Sequence, residues 1–466
     1  MASILTQTKQ PVAPPGKNSP ASSPPPLLQI DTARLYRDGV GVEGVDRTEV
    51  EALAPELRRV HQALVDKSAG GLNAEFACLT LHDSMPATLP AIETAAEQLR
   101  RFEDIAVIGI GGSSLGAKAV HQALVDEPGA HRPRLHFLEN IDPRNLDVFV
   151  RNRSAEKSAV ICISKSGGTI ETGIQYLILR EWLEQQLGKD KARRHQYLIT
   201  DPAQGWLRDL ATREDLASLP VPPRVGGRYS VLTAVGLLPL AAVGVDIRAL
   251  LAGSAANAAR CVSDNPSGNP ALELAALFFL LDTRRHKRVS IMMPYADPLQ
   301  LFGDWYRQLW AESLGKRRGA RADDPPAGTL PVTALGTVDQ HSQLQMYLES
   351  RRDKIFSFLA IDQRESNRRI PLTEHDRKYF PYLDGKHMQD VLEAELQATR
   401  QVITETGHPN MTLRLSRLDA HALGQLIDLY QRATVYAGLL YGINPLDQPA
   451  VEKGKQLAIR LLGGGR

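Results

Sequence analysis

Apolar residues recur three and four apart along VEALAPELRRVHQALVDK (residues 50–67), the pattern of an amphipathic helix. Beyond it, short β-branched runs alternate with helical stretches. DIAVIGI (104–110), RLHFLEN (134–140), SAVICIS (158–164) and HQYLIT (195–200) are predicted strands. Their near-continuous apolar character fits a parallel sheet covered on both faces. A second series follows Gly226: helical VLTAVGLLPLAAVG and ALELAALFFLLD, strand VSIMMPY (289–295), then LPVTALG and KIFSFLAI. The expected fold is α/β, two domains with mainly parallel sheets. A disordered proline-rich leader (1–28, seven prolines within 11–26) and an N-terminal helical segment (29–75) precede domains at 76–225 and 226–418. A helical arm (419–466) packs back on the body.

Composition narrows the function classes. The chain has 466 residues, 43% apolar and 23% charged, ordinary for a globular enzyme. Its 55 Lys+Arg against 53 Asp+Glu leave +2, which argues against a nucleic-acid partner or an acidic tail. Cys78, Cys162 and Cys261 show no CxxC spacing, so neither a disulfide framework nor structural zinc is expected. The opening ASILTQTKQ lacks the basic-then-apolar order of a secretion signal. The longest apolar stretch, 231–245, carries Pro239 and is shorter than the ~18–20 residues a bilayer span needs. The reading is cytoplasmic, with no membrane association.

Six stretches carry candidate chemistry. Gly109-Ile110-Gly111-Gly112-Ser113-Ser114-Leu115-Gly116 follows a strand and opens a helix, where free N–H groups favour an anion. A dinucleotide fingerprint needs glycine at Ser114, and a Walker loop needs GK[ST] where Gly116-Ala117-Lys118 stands; neither fits. The turn alone is also compatible with close packing. Ser164-Lys165-Ser166-Gly167-Gly168-Thr169, at the next strand-to-helix turn, offers hydroxyls, a cation and glycines to a phosphate monoester. Both turns sit at carboxyl ends of predicted parallel strands, where open α/β sheets bind ligands.

Gln308 and Glu312, four apart, share one helix face among apolar and aromatic residues, a setting for general base work. A solvated helix-face glutamate is the plain alternative. Gly336-Thr337-Val338-Asp339-Gln340-His341-Ser342-Gln343 presents a histidine, a candidate acid or an ordinary hydrogen-bonded residue. Gly226-Gly227-Arg228-Tyr229-Ser230 can aim a guanidinium at developing negative charge. GINPLDQPAVEKGK (442–455) fixes an extended turn, through two X-Pro pairs, before a terminal helix.

Taken in order, GIGGSSLG, SKSGGTIET, GGRYS, QLWAESLGK, GTVDQHSQLQ and GINPLDQPAVEKGK resemble the glucose-6-phosphate isomerase family across residues 109–455. The resemblance implies two sugar-isomerase (SIS) αβα domains, a C-terminal arm that completes the active site, and a homodimer with shared active sites. It implies reversible aldose–ketose interconversion of glucose 6-phosphate and fructose 6-phosphate through an enediolate, with no cofactor and no metal. Gly112 and Ser113 then bind substrate, and Ser164, Lys165, Ser166 and Thr169 hold its phosphate. Gln308 positions the sugar beside the base Glu312, Arg228 stabilises the enediolate, and Gln448 lines the pocket. His341, reaching in from the partner subunit and oriented by Glu171, helps to open the ring, and Lys455 contacts the ring-oxygen region. Gly168 stands where the family carries more threonine, and Ala450 where glycine is common.

The reaction needs an acid, a base and a fixed cation in a dry site, with a remote phosphate supplying binding energy. A metal-assisted hydride shift would want clustered ligands, and no HxH or HExxH spacing occurs. A non-catalytic sugar-phosphate sensor explains the two loops but not Glu312, His341 and Lys455 together. A nucleotide-dependent dehydrogenase or kinase lacks its fingerprint. Isomerisation of another aldose phosphate, such as mannose 6-phosphate, stays open as a second activity.

Overall fold

The structure, a computed structural model, describes residues 28–125, 133–319, 321 and 323–463. The leader of the sequence reading, apart from Leu28, lies outside the described residues. Leu28 itself is buried: its N–H donates to Gln425 Oε1 at 2.9 Å and its carbonyl accepts from Arg260. It leads into a short strand, β1 (Gln29–Asp31), so the segment expected to be helical from residue 29 begins as strand. Three residues are too few to show alternation. Helix α1 (Ala54–Ser68) follows, burying Leu57, Val60, His61 and Leu64 along the predicted stripe.

The first sheet holds β2 (Asp104–Ile108), β3 (Arg134–Leu138), β4 (Ser158–Ile163), β5 (Gln196–Thr200) and β6 (Ala217–Pro220). All pair in parallel, in the order β3-β2-β4-β5-β6. Every residue of β2, β4 and β5 is buried, as continuous apolar runs require; the edge strands β3 and β6 are partly exposed. β2 and β4 end two residues and one residue before their predicted limits, because Gly109 and Ser164 already belong to the turns, whereas β5 ends at Thr200 as predicted. Helices α2 (Leu115–Leu124), α3 (Ile170–Leu187) and α4 (Trp206–Arg213) start at the carboxyl ends of β2, β4 and β5.

A 3₁₀ turn (Gly227–Leu232) opens the second half, where an unbroken helix was expected from Val231. Then come α5 (Ala234–Ala242), which keeps Pro239 inside it, α6 (Ile247–Arg260) and α7 (Pro270–Arg285). The second sheet combines β7 (Val289–Pro294), β8 (Leu330–Thr333), β9 (Lys354–Gln363) and β10 (Asn410–Arg417) in the order β1-β10-β9-β7-β8. Only β1 runs antiparallel, pairing Gln29 with Arg414. Between β7 and β8 lies α8 (Gln300–Leu314), rooted by buried Trp305, Tyr306 and Trp310.

The two helices of the C-terminal segment differ in burial. Helix α9 (Ala420–Tyr441) is buried on nearly every residue and packs along α6 and α7 in the main core. Its buried charges are paired: Asp428 accepts from Arg432 Nε (2.7 Å), Asn257 Nδ2 (2.8 Å) and Ser254 Oγ (3.3 Å). Arg432 Nη2 also donates to the Leu79 carbonyl at 2.8 Å, anchoring the N-terminal segment. Only α10 (Glu452–Leu461) stands peripheral and exposed. Among the described residues, no helix is long and apolar enough to cross a membrane.

His408, just before β10, is buried against the edge of Phe356. Burial, then the nearby Lys354 and Lys287 ammoniums, push its pKa down to about 4. The folded state therefore holds it neutral, while the unfolded chain protonates it near 6.5. Its contribution to stability is complete above about pH 6.5 and is lost as pH falls towards 4. Urea unfolding across that range should show a smaller pH slope in His408→Gln than in the wild type, by up to about 1.4 kcal/mol per pH unit.

Candidate active site

Two glycine turns meet backbone to backbone. A Cβ on Gly112 would lie 2.1 Å from the Gly227 carbonyl carbon and 2.4 Å from Arg228 N, so no side chain fits there. Gly111 takes a left-handed φ of 58°, and a Cβ on it would meet Gln308 Nε2 at 2.9 Å. Ser230 Oγ can donate to the carbonyls of Gly227 (2.7 Å) and Gly112 (3.2 Å), binding the two turns together. This contact presents Arg228 and Gln308 to one cleft.

The Arg228 guanidinium is buried, and all its nitrogens have partners. Nε donates to Ser313 Oγ (2.7 Å), and Nη2 to the carbonyls of Pro445 (2.7 Å) and Asp447 (3.1 Å). Nη1 donates to Gln448 Oε1 at 2.9 Å and lies 3.3 Å from Glu312 Oε1. Glu312 sits in the last turn of α8, with its side chain 30% exposed. Its other oxygen accepts from Gln308 Nε2 at 3.1 Å. The Gln308 Oε1 is buried without a protein donor, an acceptor that suits a hydroxyl. Around this group opens a cleft of about 1540 Å³, lined among others by Gly111, Gln308, Glu312, Lys316, Asp447 and Gln448.

The second turn is a hydroxyl cradle. Ser164 Oγ and Thr169 Oγ1 lie 3.2 Å apart, and Ser166 Oγ accepts from Gly168 N. Thr169 is the N-cap of α3 and makes no side-chain capping bond, which leaves first-turn amides available to an anion. Lys165 departs from its expected place. Its ammonium donates to the carbonyls of Pro223 (2.5 Å) and Val225 (3.1 Å), and burial lowers its pKa. It thus ties the hydroxyl turn to the segment that runs into Gly226-Gly227-Arg228. Ser113 ends the 3₁₀ turn at Gly111–Ser113 and is half-buried.

With this geometry in view, comparison with known proteins is decisive. The phosphoglucose isomerase family pattern matches residues 80–463. A glucose-6-phosphate isomerase of Rubrobacter xylanophilus is 38% identical over 442 residues, covering 92% of this chain and 97% of that one. The chain belongs to the phosphoglucose isomerase family. A solved structure of a hypothetical protein from Thermus thermophilus superposes with a TM-score of 0.84 at 33% identity, over 94% of this chain and 100% of that one. A glucose-6-phosphate isomerase structure from Chlamydia trachomatis shares the fold, with a TM-score of 0.78 at 21% identity, over 91% of this chain and 87% of that one.

The family motifs do not all converge within one chain. Gly112, Arg228, Gln308, Glu312 and Gln448 come together. His341 is exposed in the turn after β8 and Lys455 is exposed on α10; neither lines the cleft beside Glu312. Glu171 is half-buried in the first turn of α3, where its carbonyl accepts from Gln175. Several working residues were not singled out from sequence. Ser313 also bonds Tyr229 Oη at 3.0 Å, and Glu139, at the end of β3, accepts from Ser114 Oγ and Lys118 Nζ, both at 2.6 Å. Ser313 could have been found by its place beside Glu312; Glu139 carries only the weaker signal of a carboxylate at a strand's carboxyl end.

Gly112→Ala tests the contact between the turns. The added methyl must force the glycine turn off the Arg228 turn, lowering unfolding free energy by about 1–3 kcal/mol. Gly168→Ala, where a Cβ meets nothing within 4 Å, should leave the unfolding midpoint unchanged. Denaturant titration of both variants checks this.

Proposed function

We propose that this chain interconverts glucose 6-phosphate and fructose 6-phosphate, with Glu312 carrying the proton between C1 and C2. The observation that carries the reading is the Glu312–Arg228–Gln308 arrangement at the end of α8, with one carboxylate oxygen facing a guanidinium and the other an amide. Removing a proton from one carbon builds negative charge on the adjacent oxygens. As Glu312 takes that proton it loses its own charge, so the Nη1 face of Arg228 is released to the enediolate. The guanidinium therefore changes its anionic partner from carboxylate to enediolate in one step, without large motion. Ser164, Ser166 and Thr169, with the α3 amides, suit the substrate phosphate, whose binding energy holds the sugar in place. Lys165 would join them by leaving its two carbonyls. Gln448 lines the pocket, and Gly112 and Ser113 border it.

In this reading the working unit is a cytoplasmic homodimer. His341 of one subunit opens the sugar ring in the other, oriented by Glu171, and Lys455 contacts the ring-oxygen region. Three features support it. His341 lies exposed near Val338 and Met346, which are 60% and 65% exposed. Glu171 begins a helix whose next turns expose Ile174, Leu177 and Ile178. Helix α10, which bears Lys455, leaves Leu457, Ile459 and Leu461 exposed. The first sheet falls within the proposed domain 76–225, and the second adds β1 (Gln29–Asp31) to strands from the proposed domain 226–418.

A dehydrogenase-coupled assay of fructose 6-phosphate conversion tests the reaction. Glu312→Gln should lower kcat by about 10²–10⁴-fold while sugar-phosphate binding by calorimetry persists. Unchanged turnover would remove Glu312 as the base. The shared site has its own test. Glu312→Gln and His341→Asn subunits, each inactive alone, should regain about a quarter of the wild-type rate after co-refolding, because half the dimers then hold one intact site. No recovery would place His341 outside the partner's site.

A further inference from the structure

The turn that accepts from Arg228 is gripped from a second side. Lys316, just past the end of α8, has a side chain only 14% exposed. Its Nζ donates to the Asn444 carbonyl and lies 2.7 Å from Asp447 Oδ1. Arg228 meanwhile binds the carbonyls of Pro445 and Asp447 and the side chain of Gln448. Two cations thus hold alternate groups of one five-residue turn, and both face carboxylates, Asp447 for the lysine and Glu312 for the arginine.

We propose that Lys316 is a positioning residue for the isomerase reaction, fixing the 444–448 turn so that the Arg228 guanidinium stays in register with the Glu312 carboxylate. The proposal rests on the isomerase reading above and extends it to a residue that does not touch the reacting carbons. The connection is a closed ring. α8 carries Glu312, Ser313 and, after its end, Lys316; Lys316 holds the turn; the turn holds Nη2 and Nη1 of Arg228; and Arg228 returns to Ser313 and Glu312.

The turn has few other restraints of this strength. Asn444 Oδ1 accepts from Leu446 N at 2.9 Å, and Tyr229 Oη donates to the Pro445 carbonyl at 3.3 Å. Without Lys316 the Asn444 end and the Asp447 carboxylate lose their cation together. Burial, followed by the neighbouring Arg228 charge, lowers the Lys316 pKa, while Asp447 and Glu312 pull it back up, as expected if all four charges share one environment.

The test uses the full chain in the coupled assay with fructose 6-phosphate. Wild-type turnover comes first, because its absence would refute the isomerase reading and not this one. Given an active wild type, Lys316→Met should lower kcat at least about tenfold with KM within about twofold, since misplacing a guanidinium by a fraction of an ångström costs chemistry more than binding. Lys316→Arg, which can reach both acceptors, should recover most of the loss. Asp447→Asn should lower kcat about two- to fivefold at constant KM, because the Asn444 contact remains. Lys316→Met with wild-type kcat, an equal loss in the methionine and arginine variants, or a parallel change in kcat and KM overturns the proposal. If the methionine variant does not fold, Asp447→Asn decides it, and wild-type kcat there is the refuting result.

Discussion

One buried guanidinium draws two distant stretches of chain, 312–313 and 445–448, to its own turn. Arg228 lies beneath the cleft, and a cation there is tolerable only if its donors are satisfied and a counter-charge is near. Four of its five close partners are neutral oxygens, from Ser313, Pro445, Asp447 and Gln448. The fifth is the Glu312 carboxylate. Charge balance at the heart of the molecule therefore depends on the group expected to gain and lose a proton during the reaction. In the proposed reaction the neutral acceptors hold the guanidinium in place while the negative charge it faces passes from carboxylate to substrate and back.

The rest of the fold supplies the fixed frame this requires. The glycine turn, the hydroxyl turn and α8 follow strands β2, β4 and β7, all in parallel sheets whose carboxyl ends collect ligand-binding turns. β2 and β4 are hydrogen-bonded neighbours, so the two turns of the first sheet start side by side. Behind them α9 runs through the main core with its Asp428–Arg432 pair fully partnered. Its final residue leads directly into the turn that receives Arg228. Core packing and site geometry are linked here through a single chain reversal at Gly442, whose φ of 72° is left-handed.

How much of this was legible in the sequence depended on which part of each residue does the work. Strands buried on both faces announce themselves as apolar runs, and β2, β4, β5, β7 and β9 were readable for that reason. β6 is four residues long and ends in a proline, and β1 is three residues long, so neither carries a signal. β10 alternates Met411, Leu413 and Leu415 with Asn410, Thr412 and Arg414, a period-two pattern that was present but outweighed by the helices around it. Side chains that motifs single out, such as Glu312, Gln308 and Arg228, lie together at the cleft. The carbonyls of Pro445 and Asp447 were not legible, because every residue has one and none leaves a compositional mark. Lys165 illustrates the same limit: its ammonium is held by backbone oxygens of a segment about sixty residues away. The all-round burial of α9 was not legible, because polar residues are interspersed along its 22 residues.

The contrast between buried and exposed site residues follows from what each must do. In the proposed reaction a base and a cation act on one developing charge and need fixed geometry, because reorganisation at the moment of proton transfer raises the barrier. Arg228 is buried and held by its partners, and Glu312 is 30% exposed at the cleft. In the same proposal the hydroxyl turn admits and releases a phosphate, which suits amides left uncapped by the Thr169 side chain and an exposed Ser166. In the proposed reaction His341 and Lys455 act on the ring form of the sugar, before charge develops at the carbons, and an exposed approach suits that earlier step.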